Sequence, residues 1–142
     1  MSTGRYITLE GAEGCGKSTH AARLADALDA VLTRETGGTA IGQRIRTILH
    51  DTTVTNLSHR AEALLTAADR AQHIDEIVAP ALISGRHVVS DRSVFSTLAY
   101  QGYGRELPVD AMRGINAWAI RDRWPDLVVL LTVDAATAAE RI

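Results

Sequence analysis

Gly11-Ala12-Glu13-Gly14-Cys15-Gly16-Lys17-Ser18-Thr19 is the stretch on which the fold turns. It fits the spacing G-x-x-x-x-G-K-[ST]. It lies between a short β-rich run, Tyr6 to Glu10, and an Ala- and Leu-rich segment with apolar residues at helical spacing, Lys17 to Ala30. The physics of such a strand–loop–helix unit is specific. Glycines let the backbone curl until successive N–H groups face phosphate oxygens, and the following helix adds the positive end of its dipole. Lys17 is placed to reach β- and γ-phosphates, and the Ser18 hydroxyl to ligate Mg²⁺. The alternative, a Gly-rich turn matching by chance, leaves the flanking strand and helix unexplained.

Working outward, strands and helices alternate. Val31 to Arg34 reads as a second strand, and Thr36-Gly37-Gly38-Thr39 as a loop punctuated by paired glycines. Ile41 to Leu49 puts Ile41, Ile45, Ile48 and Leu49 on one helical face. Ser58 is placed to cap a long helix running to about Leu82, with Pro80 bending or ending it. His87 to Ser90 is a third strand, entering Asp91. Ser93 to Gln101 reads as helix, broken by Gly102-Tyr103-Gly104, and Pro108 to Arg123 as another helix. Leu127 to Val133 is a nearly continuous apolar run, the pattern of a strand buried on both faces. Asp134 caps a last helix that begins at about Ala135.

This alternation predicts an α/β fold: a P-loop NTPase-type parallel sheet of four strands, Tyr6–Glu10 near its centre, with helices on both faces. Residues 1–142 read as a single domain. It stops a few residues into its last helix, so the expectation is a domain incomplete at its C-terminus.

The chain has 142 residues, 46% of them apolar and 23% charged, the composition of an ordinary globular domain. A net charge of −2 gives no electrostatic case for nucleic acid or an anionic membrane as the main partner. Cys15 is the single cysteine, so no internal disulfide can form and a reducing, cytoplasmic setting suits the chain. The N-terminus has no signal-peptide pattern, and no apolar run approaches the ~20 residues of a membrane span.

Three further segments carry candidate chemistry. Asp91-Arg92-Ser93 follows the third strand at its C-terminal end, where open parallel sheets place ligands. An Asp there can hold Mg²⁺ and an Arg can grip a phosphate, or the two form a surface ion pair. Arg34-Glu35-Thr36-Gly37-Gly38-Thr39 follows the second strand at the same edge, as a site loop or merely a polar one. In Ala67-Ala68-Asp69-Arg70-Ala71-Gln72-His73, Asp69 and His73 stand four apart, the spacing of a helix-surface pair. Arg70 points elsewhere.

Taken in order, Gly11–Thr19, Arg34–Thr39, Ala67–His73, Asp91–Ser93 and Ala99-Tyr100-Gln101-Gly102 resemble bacterial thymidylate kinase, over nearly all of Tyr6 to Ile142. Pro125-Asp126-Leu127, opening the fourth strand, belongs to the same pattern. The resemblance implies phosphoryl transfer from ATP to dTMP, with Mg²⁺. It places ATP phosphates on Gly11, Ala12, Glu13, Gly14, Cys15, Gly16, Lys17, Ser18 and Thr19, and sets Glu13 facing the reacting phosphates. Arg92 would hold the dTMP phosphate, with Asp91 and Ser18 near the metal. Glu35 and Arg46 would line the monophosphate side. Arg70 and Gln101, helped by Thr97, would address the thymine edge, and Tyr100 would pack under the deoxyribose and crowd a 2′-hydroxyl. A homodimer, through the helices after Ser58 and Ser93, is also implied.

This chain departs from the family in four places. Thr66 stands where many members have Phe, so base affinity is weakened or supplied differently. Thr36 replaces the proline of the usual Arg-Glu-Pro-Gly-Gly-Thr run. Cys15 replaces the usual Ala, as a small residue rather than a nucleophile. The family's Arg-rich lid, two further helices and fifth strand have no counterpart among these residues, and the resemblance puts the catalytic Arg in that lid. Three functions are therefore open: a dTMP kinase, a nucleotide-binding module without efficient transfer, or a P-loop kinase for another small acceptor. Arg70, Tyr100 and Gln101 favour a pyrimidine deoxynucleotide over the last.

Overall fold

The computed structural model describes residues 3–141. Its sheet has four strands, β1 (Tyr6–Glu10), β2 (Val31–Arg34), β3 (Val88–Asp91) and β4 (Leu127–Leu130), in the order β2-β3-β1-β4. Every neighbouring pair is parallel, with Ile7 opposite Val89 on one side and Leu127 on the other. β1 is thus central, and its alternating side chains feed two cores. Tyr6 joins Ile74, Val78, Leu82, Val88, Val94 and Ile120 on one face. Ile7 and Leu9 join Ala21, Ala25 and Val89 on the other, beneath α1 (Lys17–Leu28). Small alanines on α1 let the helix sit close to the sheet, which keeps the preceding loop tight against the strand ends.

The second face is covered by one long helical run. Ser58 caps α3 (His59–His73), its hydroxyl accepting from the Ala61 N–H at 3.1 Å. A π-helical turn, Ile74–Val78, carries the run into α4 (Ala79–Ile83), and Pro80 sits at the start of α4, just after the winding widens. α2 (Ala40–Leu49) packs against α3. Its expected apolar face is only half covered: Ile45 and Leu49 are half-buried, Ile41 and Ile48 exposed.

Three expectations are corrected. Gly102-Tyr103-Gly104 does not break the helix after Ser93. α5 (Val94–Thr97) widens into a second π-helical turn, Leu98–Gly104, whose looser winding takes in both glycines. α6 (Val109–Ala119) stops short of Arg123, because the Asp122 N–H bonds back to the Ala117 carbonyl and the Arg121 N–H to that of Trp118, a helix-closing motif with Arg121 and Asp122 left-handed. β4, expected to be buried on both faces, is an edge strand paired with β1 alone, and Leu127 and Leu130 stay 54% and 67% exposed. Only Val129 finds cover, against the cluster beneath α1, so the rest of the apolar pattern stays open among the described residues. α7 (Ala135–Glu140) follows, capped as expected by Asp134, which accepts from the Thr137 N–H at 2.7 Å. Among the described residues, no helix is long and apolar enough to cross a membrane.

Candidate active site

The C-terminal ends of β1, β2 and β3 open into one cleft of about 1020 Å³. The phosphate loop forms one end. Gly11, Gly14 and Gly16 all have positive φ. A Cβ at Gly11 would lie 2.6 Å from the Leu131 carbonyl oxygen, and one at Gly14 2.6 Å from that of Ala138, so both positions demand glycine for space as well as for conformation. Gly16 occupies the N-cap of α1 with no side-chain acceptor, which leaves the first N–H groups of the helix open to an anion. Lys17 is 7% exposed, and its ammonium rests on the Ala12 carbonyl at 3.1 Å. Ser18 Oγ donates to Asp91 Oδ2 at 2.7 Å, bringing a hydroxyl from α1 and a carboxylate from β3 to one point.

A hydroxyl and a carboxylate oxygen at one point suit Mg²⁺, which keeps most of its waters and takes one or two protein oxygens plus phosphate. Among the described residues, no group of three or more His, Cys, Asp or Glu clusters as a metal cage. Glu13, Gly14, Gly16 and Thr19 also line the cleft. Gly11, Ala12 and Cys15 do not, and Cys15 is buried at 5% exposure.

Arg92 opens the other wall. Its backbone is left-handed (φ 73°), held by its own N–H on the Leu9 carbonyl at 2.9 Å and by Ser90 Oγ donating to its carbonyl at 2.7 Å. A non-glycine residue there is strained, and two backbone clamps hold the strain in place. Its guanidinium lies 5.5 Å over the Tyr100 ring. Asp91 and Arg92 thus turn to different partners, and the surface ion-pair alternative does not apply. Below Arg92, Glu10 accepts from both Ser93 Oγ and Ser96 Oγ. Burial pushes its carboxyl above the usual range, against the pull of those two hydroxyls and of Arg92.

A buried polar network closes the far end. Arg70, 2% exposed, donates from Nε to Glu35 Oε1 (2.7 Å), from Nη1 to Asn116 Oδ1 (2.6 Å) and from Nη2 to the Ser93 carbonyl (3.2 Å). A guanidinium has five N–H groups, so two are left without a partner among the described residues, on a side chain that lines the cleft. Glu35 spends its second oxygen on His73 Nδ1 at 2.7 Å. Burial alone would raise the Glu35 carboxyl, but Arg70 and His73 outweigh it and hold it below the ordinary value. The expected surface pairing of Asp69 with His73 is overturned. Both are buried: His73 bridges Glu35 and Thr33 Oγ1, while Asp69 accepts from the Gly37 N–H at 2.9 Å. Helix spacing alone cannot tell an outer face from an inner one.

Arg46 donates from Nη1 to the Thr36 carbonyl at 3.2 Å, fixing the loop after β2. The Glu35–Thr36 peptide is cis although Thr36 is not proline. Thr97 and Gln101 are buried against the cleft, and Tyr100 is half in solvent. The structure therefore brings Glu13, Lys17, Ser18, Glu35, Arg46, Arg70, Asp91, Arg92, Thr97, Tyr100 and Gln101 around one cavity. Sequence reading missed Glu10, His73, Ser96 and Asn116. Asn116 left a signal: it is the polar residue on the stripe Met112, Asn116, Ala119 that α6 buries.

A phosphate loop, a hydroxyl–carboxylate pair and a cationic acceptor wall at the ends of a parallel sheet define a P-loop phosphotransferase. The family model "Thymidylate kinase" matches residues 9–142. The thymidylate kinase of Halothermothrix orenii is 48% identical over 97% of this chain and 69% of its own length, and that of Desulfovibrio desulfuricans 47% over 96% and 65%. A crystal structure of thymidylate kinase from Ehrlichia chaffeensis superposes with a TM-score of 0.88 at 34% identity, over 98% of this chain and 82% of that one. The chain belongs to the thymidylate kinase family, and spans about two thirds of the length of these two sequence relatives.

Proposed function

We propose that the chain transfers the γ-phosphoryl group of ATP to dTMP, giving ADP and dTDP. The observation that carries this is the single cleft, with Lys17 and Ser18 at one end and the Arg70–Gln101 polar wall at the other, in a chain whose relatives are named thymidylate kinase. An oxygen of the dTMP phosphate attacks the γ-phosphorus, and the bond to the β–γ bridging oxygen breaks. Such transfer asks the protein for alignment and charge neutralisation. Lys17 leaves the Ala12 carbonyl for the β- and γ-phosphates, and the open N–H groups of the loop hold the rest. Arg92 grips the acceptor phosphate, braced by Tyr100. Glu13 faces the reacting groups. Ser18 and Asp91 would hold Mg²⁺, which would supply charge neutralisation to the transferring phosphates.

Arg70 donates to thymine O4 with its two spare N–H groups, and Gln101 addresses the neighbouring ring position, with Thr97 beside it. Glu35 acts through Arg70, since both its oxygens are taken, and Arg46 through the Thr36 turn. Tyr100 packs under the deoxyribose. A homodimer through the faces of α3 and α5, in the cytoplasm, fits the family pattern. Competition binding with dTMP, UMP and AMP tests the acceptor: dTMP should rank first, and AMP or UMP above it would reject this reading.

A further inference from the structure

The Gln101 side chain can present either its carbonyl or its NH₂ to a ligand, and its neighbours decide which. Gln101 is 5% exposed, and Nε2 donates to Thr66 Oγ1 at 3.1 Å and to Glu62 Oε1 at 3.5 Å. Thr66 has one hydroxyl hydrogen, already donated to the Glu62 carbonyl one helical turn back at 2.9 Å. Toward Gln101 the Thr66 oxygen can therefore only accept. The Glu62 carboxylate is likewise an acceptor, with Arg105 Nε 3.5 Å from the same oxygen. Two acceptors on one side force the NH₂ toward them. Gln101 Oε1 is left as a buried acceptor with no partner among the described residues, on a side chain that lines the cleft.

We propose that Thr66 is a positioning residue for specificity: its back-bonded hydroxyl, with Glu62, locks the Gln101 amide so that the site offers a carbonyl oxygen to the base. This rests on the acceptor reading above. A carbonyl there accepts the N3–H of thymine or uracil and faces the lone pair of cytosine N3, which it repels. The residue standing where the family often stacks an aromatic ring thus selects by polarity instead.

Thr66→Val keeps the shape and removes the hydroxyl, whereas Thr66→Ser keeps the hydroxyl. Affinities of dTMP, dUMP and dCMP are measured by calorimetry on the 142-residue chain, with thermal unfolding to follow folding. The preferences for dTMP and for dUMP over dCMP should fall together by about tenfold in Thr66→Val, the scale of a misplaced buried hydrogen-bonding group. dCMP should hold or gain affinity, the dTMP-to-dUMP ratio should stay unchanged, and Thr66→Ser should behave as the parent. Loss of affinity for all three nucleotides alike, a change confined to dTMP against dUMP, or an unchanged preference in Thr66→Val would overturn the lock while leaving the acceptor reading standing. A parent chain that does not prefer dTMP to dCMP would overturn both.

Discussion

At the residue scale, the phosphate loop separates a residue that acts from one that fills. Lys17 lines the cleft, its ammonium donating to the Ala12 carbonyl and weakly, at 3.8 Å, to Cys15 Sγ, whereas Cys15 is packed behind the loop. Lys17→Ala should weaken ATP binding roughly ten- to a hundredfold, the worth of a charged hydrogen-bonding group, while Cys15→Ala should be nearly silent. Equal losses by calorimetry would refute this division. The Glu35–Arg70 pair makes a stability prediction. Removing the carboxylate in Glu35→Gln leaves a buried guanidinium without its counter-charge, at a cost of about 3–5 kcal/mol. The folded carboxyl titrates below its ordinary value of 4.5, so its contribution is fully present above that value. It is lost as the pH falls further, through the lowered folded value. Denaturant titrations of the two proteins should therefore differ by a constant amount from neutrality down to about pH 5, and converge below 4.5. The motif positions Lys17, Ser18, Asp91 and Arg92 were legible because local spacing and strand ends mark them. Glu10, His73 and Asn116 were not, because their roles depend on which helix face meets which strand across long stretches of chain.

At the scale of elements, strand and helix order was readable almost to the residue where one signal dominated. Tyr6–Glu10, Val31–Arg34 and the Ser58 and Asp134 caps are the clear cases. Reading failed where two signals competed: at Gly102 and Gly104, absorbed by a π-helical turn, and at Leu127–Leu130, where composition reports hydrophobicity but not the number of neighbours. The exposed edge has a measurable effect. β4 presents unpaired backbone groups beside Leu130, the arrangement that recruits other strands. Leu130→Lys should raise the concentration at which the 142-residue polypeptide stays monodisperse in light scattering, and shift its stability by no more than about 0.5 kcal/mol, as for an exposed site. Unchanged self-association would clear β4 of responsibility.

At the scale of the whole molecule, binding and transfer make different demands. The phosphate loop, Arg92 and the base-side residues all lie within the described residues, so a polypeptide of residues 1–142 should bind ATP and dTMP. Its phosphate loop carries Lys17 and no Arg, and in related enzymes an Arg supplied to the moving phosphoryl group is worth on the order of 10³–10⁵ in rate. A coupled ADP-release assay should therefore find slow turnover beside a longer polypeptide reaching the length of the relatives. Equal rates would mean that a sufficient Arg already lies within this cleft. The contact between Gly14 and Ala138 joins these two concerns. With the Ala138 carbonyl where a Cβ of Gly14 would have to sit, α7 lies directly against the loop. A nucleotide that moves the loop should therefore displace α7, and a fluorophore attached at the exposed Glu140 would turn that helix into an optical gauge of nucleotide occupancy, an unchanged signal at saturating ATP meaning that the loop moves alone.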